Sequence, residues 1–506
     1  MIMKMNKIYL TLLSAATLLN VSCSDWLDAT PPSQIPADKH YSTVEGFQQT
    51  LTGCYIAMTD ENLYGRSGSW LVPEVLAHQF NPVSATTESA SLYYMQQYEY
   101  ERPTSKDFID NIWAAAYNVI VNANEALNRI DDKRDIMTET DYSIIKGELL
   151  AIRAYVHFDL ARLYGYGNWG ARKAEVDAKY AVPYVTTVSK DLTPQLSMRD
   201  FFVKLTGDLS EAERLLKAED PVTGTHPWNY YDEVNSNGYY DYRGLHLNYY
   251  AVRALQARVY LWEGSAESKA LALTAAEEVI SNFEQVRGVA GSTNPWRWMD
   301  SNDQQTSQGM VYEQLFGIYV SDFSDLTTTY IKPDMMITDE QALYITDADR
   351  QEIYESHPTD WRMTDWYHLS TMSSTNPYTC IKLEAHTGAS NYYSNRMPMI
   401  RIPEVYYIAA ECCVTGSNTD LDKAMAYLNT VREHRAVYDP LAGLDAEGVM
   451  DEITKEYRKE FPLEGVMFYY YKRLGMTEIP RFDEAMGDAQ YVLPFPDFEI
   501  QSGRIQ

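Results

Sequence analysis

Cysteine is scarce in this chain, with five among 506 residues, at positions 23, 54, 380, 412 and 413. No two have the C-x2-C spacing of a zinc site, and the adjacent Cys412 and Cys413 cannot readily close a relaxed disulfide. Cys54, Cys380, Cys412 and Cys413 read as small buried residues, and only Cys23 asks for another explanation. Nine histidines are scattered with no H-x3-H and no H-E-x2-H, so a zinc hydrolase would lack its ligands. Neither a G-x-S-x-G elbow nor a G-x4-G-K-[ST] loop is present. Positive charge is also short: 42 Lys and Arg against 71 Asp and Glu leave a net charge of −29. Such a chain is a poor partner for the dense negative charge of nucleic acid, and its acidity keeps a surface soluble. Beyond the leader, no apolar run approaches the ~18 residues a membrane-spanning helix needs.

Phenylalanine is the scarce aromatic, 14 against 41 Tyr and 10 Trp. Phe belongs in cores, whereas Tyr and Trp pair an apolar face with a polar edge and suit half-exposed surfaces. An excess of Tyr serves a protein that stacks flat polar ligands such as sugars, although Tyr also packs the seams between helices. With 45% hydrophobic residues the chain can bury a large core.

The N-terminus sets the compartment. Lys4 and Lys7 precede an uncharged run from Ile8 to Leu19, a signal-peptide pattern over residues 1–22. It ends in Leu-Asn-Val-Ser-Cys, similar to a bacterial lipobox, so Cys23 is expected to be the acylated first residue of an anchored, otherwise soluble body. A plain secretory cleavage nearby is the alternative. Residues 23–41, with Pro31, Pro32 and Pro36, read as a tether.

The chain is organised around Gly147–Gly170. Ile145, Leu149, Ile152, Val156, Leu160 and Leu163 form one helical stripe, and Ala151, Ala154, Tyr155, Phe158 and Ala161 occupy another side. A helix apolar on two sides packs between other helices. Ala154, Phe158 and Ala161 also have the A-x3-F-x2-A spacing of a tetratricopeptide hairpin, which points to an all-α solenoid of helix pairs. Further helices are expected at 44–58, 106–131, 198–218, 248–263, 267–282, from 402, 420–435 and 447–474. Residues 42–506 read as one domain, with most helix pairs before about residue 285 and irregular loops over 286–395. Only short hairpins are expected among the loops.

Gly165, Gly167 and Gly170 spell G-x-G-x-x-G, but a helix precedes them where a dinucleotide fingerprint needs a strand. No cofactor or metal site is expected. Asp300-Asn302-Asp303 and Asp347-Asp349 have the oxygen donors to bind a cation but read as surface turns, and a carboxylate pair for glycoside hydrolysis is not excluded by counting. The positive chemical signal is stacking plus hydrogen bonding. Trp296, Arg297 and Trp298 crowd one loop, while the aperiodic excursion over 60–105 holds Trp70 and the cluster Tyr93, Tyr94, Tyr98 and Tyr100. Indoles and phenols meet the C–H faces of sugars, and Arg and Asp meet their hydroxyl edges.

Six stretches in order carry a resemblance. GELLAIRAYVHFDLARLYG offers Glu148, Arg153, Ala154, Tyr155, Phe158 and Leu160. AVRALQARVYLWEG offers Arg258 and Tyr260, and MIRIPEVYYIAAE offers Arg401, Glu404 and Glu411. AYLNTVREHRA offers Asn429, Arg432 and Arg435; ITKEYRKEFPLEG and LPFPDFEI follow. Together they resemble the SusD/RagB family of outer-membrane lipoproteins. The resemblance implies a tetratricopeptide-type scaffold, display at the outer-membrane surface, and a SusC-like TonB-dependent transporter as partner. It implies capture of oligosaccharide without catalysis, with peptide as the alternative ligand and a glycoside hydrolase as the rival of another class. The matching residues are structural in the family, so none transfers as a binding residue. By location and chemistry, Trp70, Tyr93, Tyr94, Trp296, Arg297 and Trp298 are the expected ligand contacts.

Overall fold

A computed structural model describes residues 36–81, 91–226, 228–285, 296–304, 309–331, 334, 343–372, 376–384 and 394–505. The expected leader, Cys23 and the tether up to residue 35 lie outside the described residues. The first long helix, α1 (Val44–Met58), begins where Thr43 is extended and its side chain accepts the Gly46 N–H. Helix α2 (Pro103–Ile130) opens on a proline, whose missing N–H is one of the donors that a helix start would otherwise leave without an intrahelical partner. The organising helix is α3 (Glu139–Tyr164), started by a reciprocal capping box between Thr138 and Asp141. Ser197 caps α4 (Met198–Glu219), Asn248 caps α5 (Tyr249–Glu263), and α6 is Ala266–Gln285. After the loops come α7 (Ile402–Thr415), α8 (Leu421–His434), α9 (Ala446–Glu460) and α10 (Val466–Leu474).

Successive helices pack on one another: α1 on α2, α2 on α3, α3 on α4, α5 on α6, α6 on α7, and α7 on α8 and α9. This is the mainly helical, pairwise-stacked architecture expected of the chain. Helix α3 is buried on nearly every side; beyond Thr140 only Tyr142 and Lys146 keep partial exposure. The two apolar faces therefore mark a helix enclosed by α2 and α4. At Gly147 an added Cβ would lie 2.8 Å from Leu216 Cγ, so the missing side chain lets α4 come close.

The expected single helix over 447–474 is two. Pro462 interrupts the pattern, Leu463 and Gly465 are left-handed, and α10 starts afresh. At Gly465, φ is +68° and a Cβ would sit 2.2 Å from the Ser69 carbonyl, so only glycine fits. Glu74 receives the freed N–H groups of Glu464 (3.1 Å) and Gly465 (2.6 Å), which ties the break to the N-terminal excursion.

Among the described residues, four short strands lie in the loop region. β1 (Gln314–Tyr319) pairs antiparallel with β4 (Arg396–Arg401), and β2 (Tyr367–Leu369) forms a hairpin with β3 (Tyr378–Cys380). Beneath β4 runs a fully buried ion network. Arg401 meets Glu460 (2.7 Å), Glu464 (2.7 Å) and Glu313 (3.2 Å), and Arg435 meets Glu313 (2.7 Å) and Glu460 (2.8 Å). Arg362 adds Asp360, Glu456 and Glu460. Buried charges this numerous persist because each is paired and hydrogen-bonded.

Candidate ligand-binding site

Three of the expected ligand contacts are core residues instead. Trp70 sits in one π-helical turn, Ser67–Leu71, with its indole N–H on the Gly65 carbonyl (2.8 Å) and its ring against Phe323 and Tyr330. Trp298 stacks on His434, ring centroids 4.5 Å apart and 13° between planes, and its indole N–H donates to Glu284 (3.2 Å). Trp296 is buried edge-on to Tyr250, its indole N–H without a hydrogen-bond partner among the described residues. The physical reason is common to all three: an indole is the largest apolar body available, and a loop that must close over a helical scaffold plugs the gap with it. Arg297 stays at the surface, bidentate to Asp303 and 4.0 Å above the Tyr312 ring. Asp300 accepts the N–H groups of Asn302 and Asp303, and Thr346 with Asp349 forms a capping box, so both acidic clusters are helix starts at the surface.

Tyr93 and Tyr94 are half-buried on the short helix Ser91–Gln96, their rings edge to face at 5.5 Å. The Arg102 guanidinium lies 4.8 Å over Tyr94. Arg102 in turn stands at the mouth of a cleft of about 620 Å³ lined by Tyr98–Arg102, Tyr164, Tyr166, Ala489 and Val492–Phe495. That volume falls within the roughly 300–1,000 Å³ of small-ligand sites. The cleft forms where the chain after Ser91–Gln96 meets the loop after α3 and the C-terminal segment.

Its walls are held rigid. The Tyr98, Tyr100 and Tyr164 hydroxyls donate to the carbonyls of Leu76 (2.7 Å), Gln490 (2.5 Å) and Ile109 (2.6 Å). Burial pushes all three phenols above their ordinary range, so they remain protonated donors. With their polar tips turned into the backbone, these residues offer ring surface to the cleft. Phe495 lies parallel to Tyr164 at 6.2 Å and is backed by Trp113. Tyr98 is left-handed, φ +56°, and stacks on His78, itself at φ +52°. Such backbone conformations cost ~1 kcal/mol or more and survive where surrounding contacts overdetermine them. Around the aromatic floor stand Glu99, Glu101 and Arg102, a polar edge capable of hydrogen bonding to hydroxyls.

Comparison with known proteins bears on what this cleft serves. One family, described as "Starch-binding associating with outer membrane", matches residues 25–227, and the family described as "SusD family" matches residues 293–498. The chain belongs to the SusD/RagB family. A SusD superfamily protein from Bacteroides thetaiotaomicron has the same fold, with a TM-score of 0.70 over 92% of this chain and 99% of that one, at 21% identity. A putative sugar binding protein from Bacteroides vulgatus matches with a TM-score of 0.67, at 21% identity over 92% of this chain and 98% of that one. A SusD-like protein from Formosa agariphila is 25% identical over 146 residues, which is 28% of either chain.

The SusD/RagB motif residues fall in the scaffold. Glu148 takes Arg243 (2.5 Å), His246 (2.9 Å) and Tyr55 (2.6 Å); burial alone would raise its pKa, but those neighbours bring it down to about 2. Arg153 is bidentate to Asp208 (2.7 Å) and bonded to Asn124, and Arg258 grips Glu404 (2.5 Å). Sequence reasoning named Tyr98 and Tyr100 as part of a cluster but missed the residues that complete the cleft. Tyr166 lies inside the Gly165-Tyr166-Gly167 loop, where two glycines flanking an aromatic were a usable signal. Phe495 lies in LPFPDFEI, where it read only as a family motif. Arg297 is not among the residues that line the cleft.

Proposed function

We propose that the protein is a non-catalytic, cell-surface glycan-binding lipoprotein that captures oligosaccharide and passes it to a SusC-like TonB-dependent transporter. The observation that carries the reading is the rigid aromatic cleft with a polar rim, in a chain whose family is one of outer-membrane nutrient-binding lipoproteins. Fixed ring faces cost little entropy when a ligand binds, and sugar C–H faces stack on them while hydroxyls reach the rim. Affinity then depends on shape and stacking and needs no activated nucleophile or general acid. Tyr166, Phe495 and Tyr98 supply the stacking surfaces, Arg102, Glu99 and Glu101 the hydrogen-bonding edge, and Tyr93 and Tyr94 extend the aromatic surface past Arg102. Cys23 carries the lipid; no described helix is long and apolar enough to cross a membrane. The solenoid is the body that presents this cleft beside the transporter.

The test is isothermal titration of the full mature chain, carrying Cys23→Ala to omit the lipid, against panels of oligosaccharides and of peptides. Saturable binding of a glycan without product release supports the reading. Binding confined to peptides, or hydrolysis of a bound glycan, overturns it. Tyr166→Ala is expected to weaken glycan binding about tenfold, the loss of one ring contact of ~1–1.5 kcal/mol, with the unfolding temperature little changed.

A further inference from the structure

The cleft's rim carries a charge pattern with a consequence for which sugars can enter. Arg102 pairs with Glu99 at 2.6 Å. Lys106 is shared between Glu101 (3.0 Å) and Asp497 (2.9 Å). Lys179, whose ammonium lies 4.7 Å over the Tyr166 ring, faces Glu175 at 3.8 Å. These three cations are thus each engaged by a carboxylate, and Lys106 by two. The lining carries two carboxylates, Glu99 and Glu101, against the guanidinium of Arg102, so an incoming sulfate or uronate meets like charge at the rim of a molecule of net charge −29. The Glu101 side chain is 80% exposed, so its charge projects toward the solvent from which a ligand arrives. The floor is mainly aromatic and aliphatic surface, because the Tyr98, Tyr100 and Tyr164 hydroxyls are spent on backbone carbonyls.

From this arrangement we infer that the cleft selects uncharged sugar rings and turns away uronates and sulfate esters. The inference rests on the glycan reading above and narrows it to a chemical class. A like charge held ~4–5 Å away near the surface costs ~1–2 kcal/mol, which is about tenfold in affinity.

The experiment titrates the full mature chain with matched pairs: galactan against galacturonan oligosaccharides, and agarose against carrageenan oligosaccharides. In low salt the neutral member of a pair is expected to bind about tenfold tighter than its charged counterpart, and the gap to shrink near 1 M salt, where the screening length falls to ~3 Å. Glu101→Lys, at an exposed position that leaves the core untouched, is expected to narrow the neutral-to-anionic ratio at least about threefold. If a charged member binds as tightly as its neutral partner, the inference is wrong and the glycan reading stands. If no member of either pair binds, or binding is indifferent to Tyr166→Ala, the cleft reading fails and takes the inference with it.

Discussion

Trp298 illustrates how a residue chosen for chemistry is claimed by packing. Two indoles beside a guanidinium and a carboxylate look like a stacking site on paper. In the folded chain Trp298 fills the space between His434, Tyr406 and Phe283, while Trp70 supports Phe323 and Tyr330. Trp298→Ala and Trp70→Ala are therefore expected to destabilise the protein by about 3–5 kcal/mol each, measured by denaturant unfolding. A variant that unfolds like the parent would return that tryptophan to the list of ligand contacts. Tyr166 and Trp298 cannot be told apart from local sequence, since both are aromatics in loops after long helices. What separates them is whether another element happens to cover the ring, and that element comes from far along the chain.

Helices were the legible elements. Seven of the expected spans coincide with α1, α2 and α4 to α8 to within a few residues, because a capping side chain and a period of 3.6 are local signals. The break between α9 and α10 was not legible, because its cause is tertiary. Glu74, on the distant helix Val72–Leu76, accepts the N–H groups that the interruption frees. Burial is the largest influence on Glu74 and raises its pKa to about 8, against the lowering effect of those backbone bonds and of Lys382. An acid whose folded pKa is raised stabilises the fold while protonated and loses that contribution as pH climbs from its unfolded value near 4.5 toward 8. Glu74→Gln, neutral at every pH, is accordingly expected to gain on the parent in unfolding temperature between pH 5 and pH 8, by a few °C. A difference that does not change across that range would contradict this account of the break.

At the scale of the whole molecule, the ion network joins Glu313 just before β1, Arg401 of β4, Arg435 just after α8, Glu456 and Glu460 of α9, and the Asp360–Arg362 helix start into one body. Removing Glu313 takes one carboxylate from both Arg401 and Arg435 and leaves their buried positive charge under-compensated, so Glu313→Gln is expected to cost about 3 kcal/mol in denaturant unfolding. Acid should act on the same kind of contact. For Glu456, burial would raise the pKa, but Arg362, Lys459 and Arg432 bring it down to about 2, as Arg243 and His246 do for Glu148. Carboxylates lowered in this way contribute fully above their unfolded value near 4.5, and the contribution drains away as pH falls toward 2. Thermal unfolding followed by circular dichroism is expected to fall steeply over that window; a flat profile would mean the pairs do not hold the fold.

Glu148, Arg153, Arg258, Glu404, Arg401 and Arg435 could be picked out as framework residues only through the resemblance to the family, whereas the helical class was read from periodicity, which is written in short-range spacing that survives without knowledge of neighbours. The sequence alone therefore determined the all-helical scaffold, the resemblance to its family and the expectation of a lipid at Cys23. The tertiary structure alone decided which aromatics line the cleft. The cleft joins residues 98–102, 164–166 and 489–495, segments separated by more of the chain than any sequence period can relate. Whether a tyrosine lines the cleft or seals a seam depends on which of those segments folds over it.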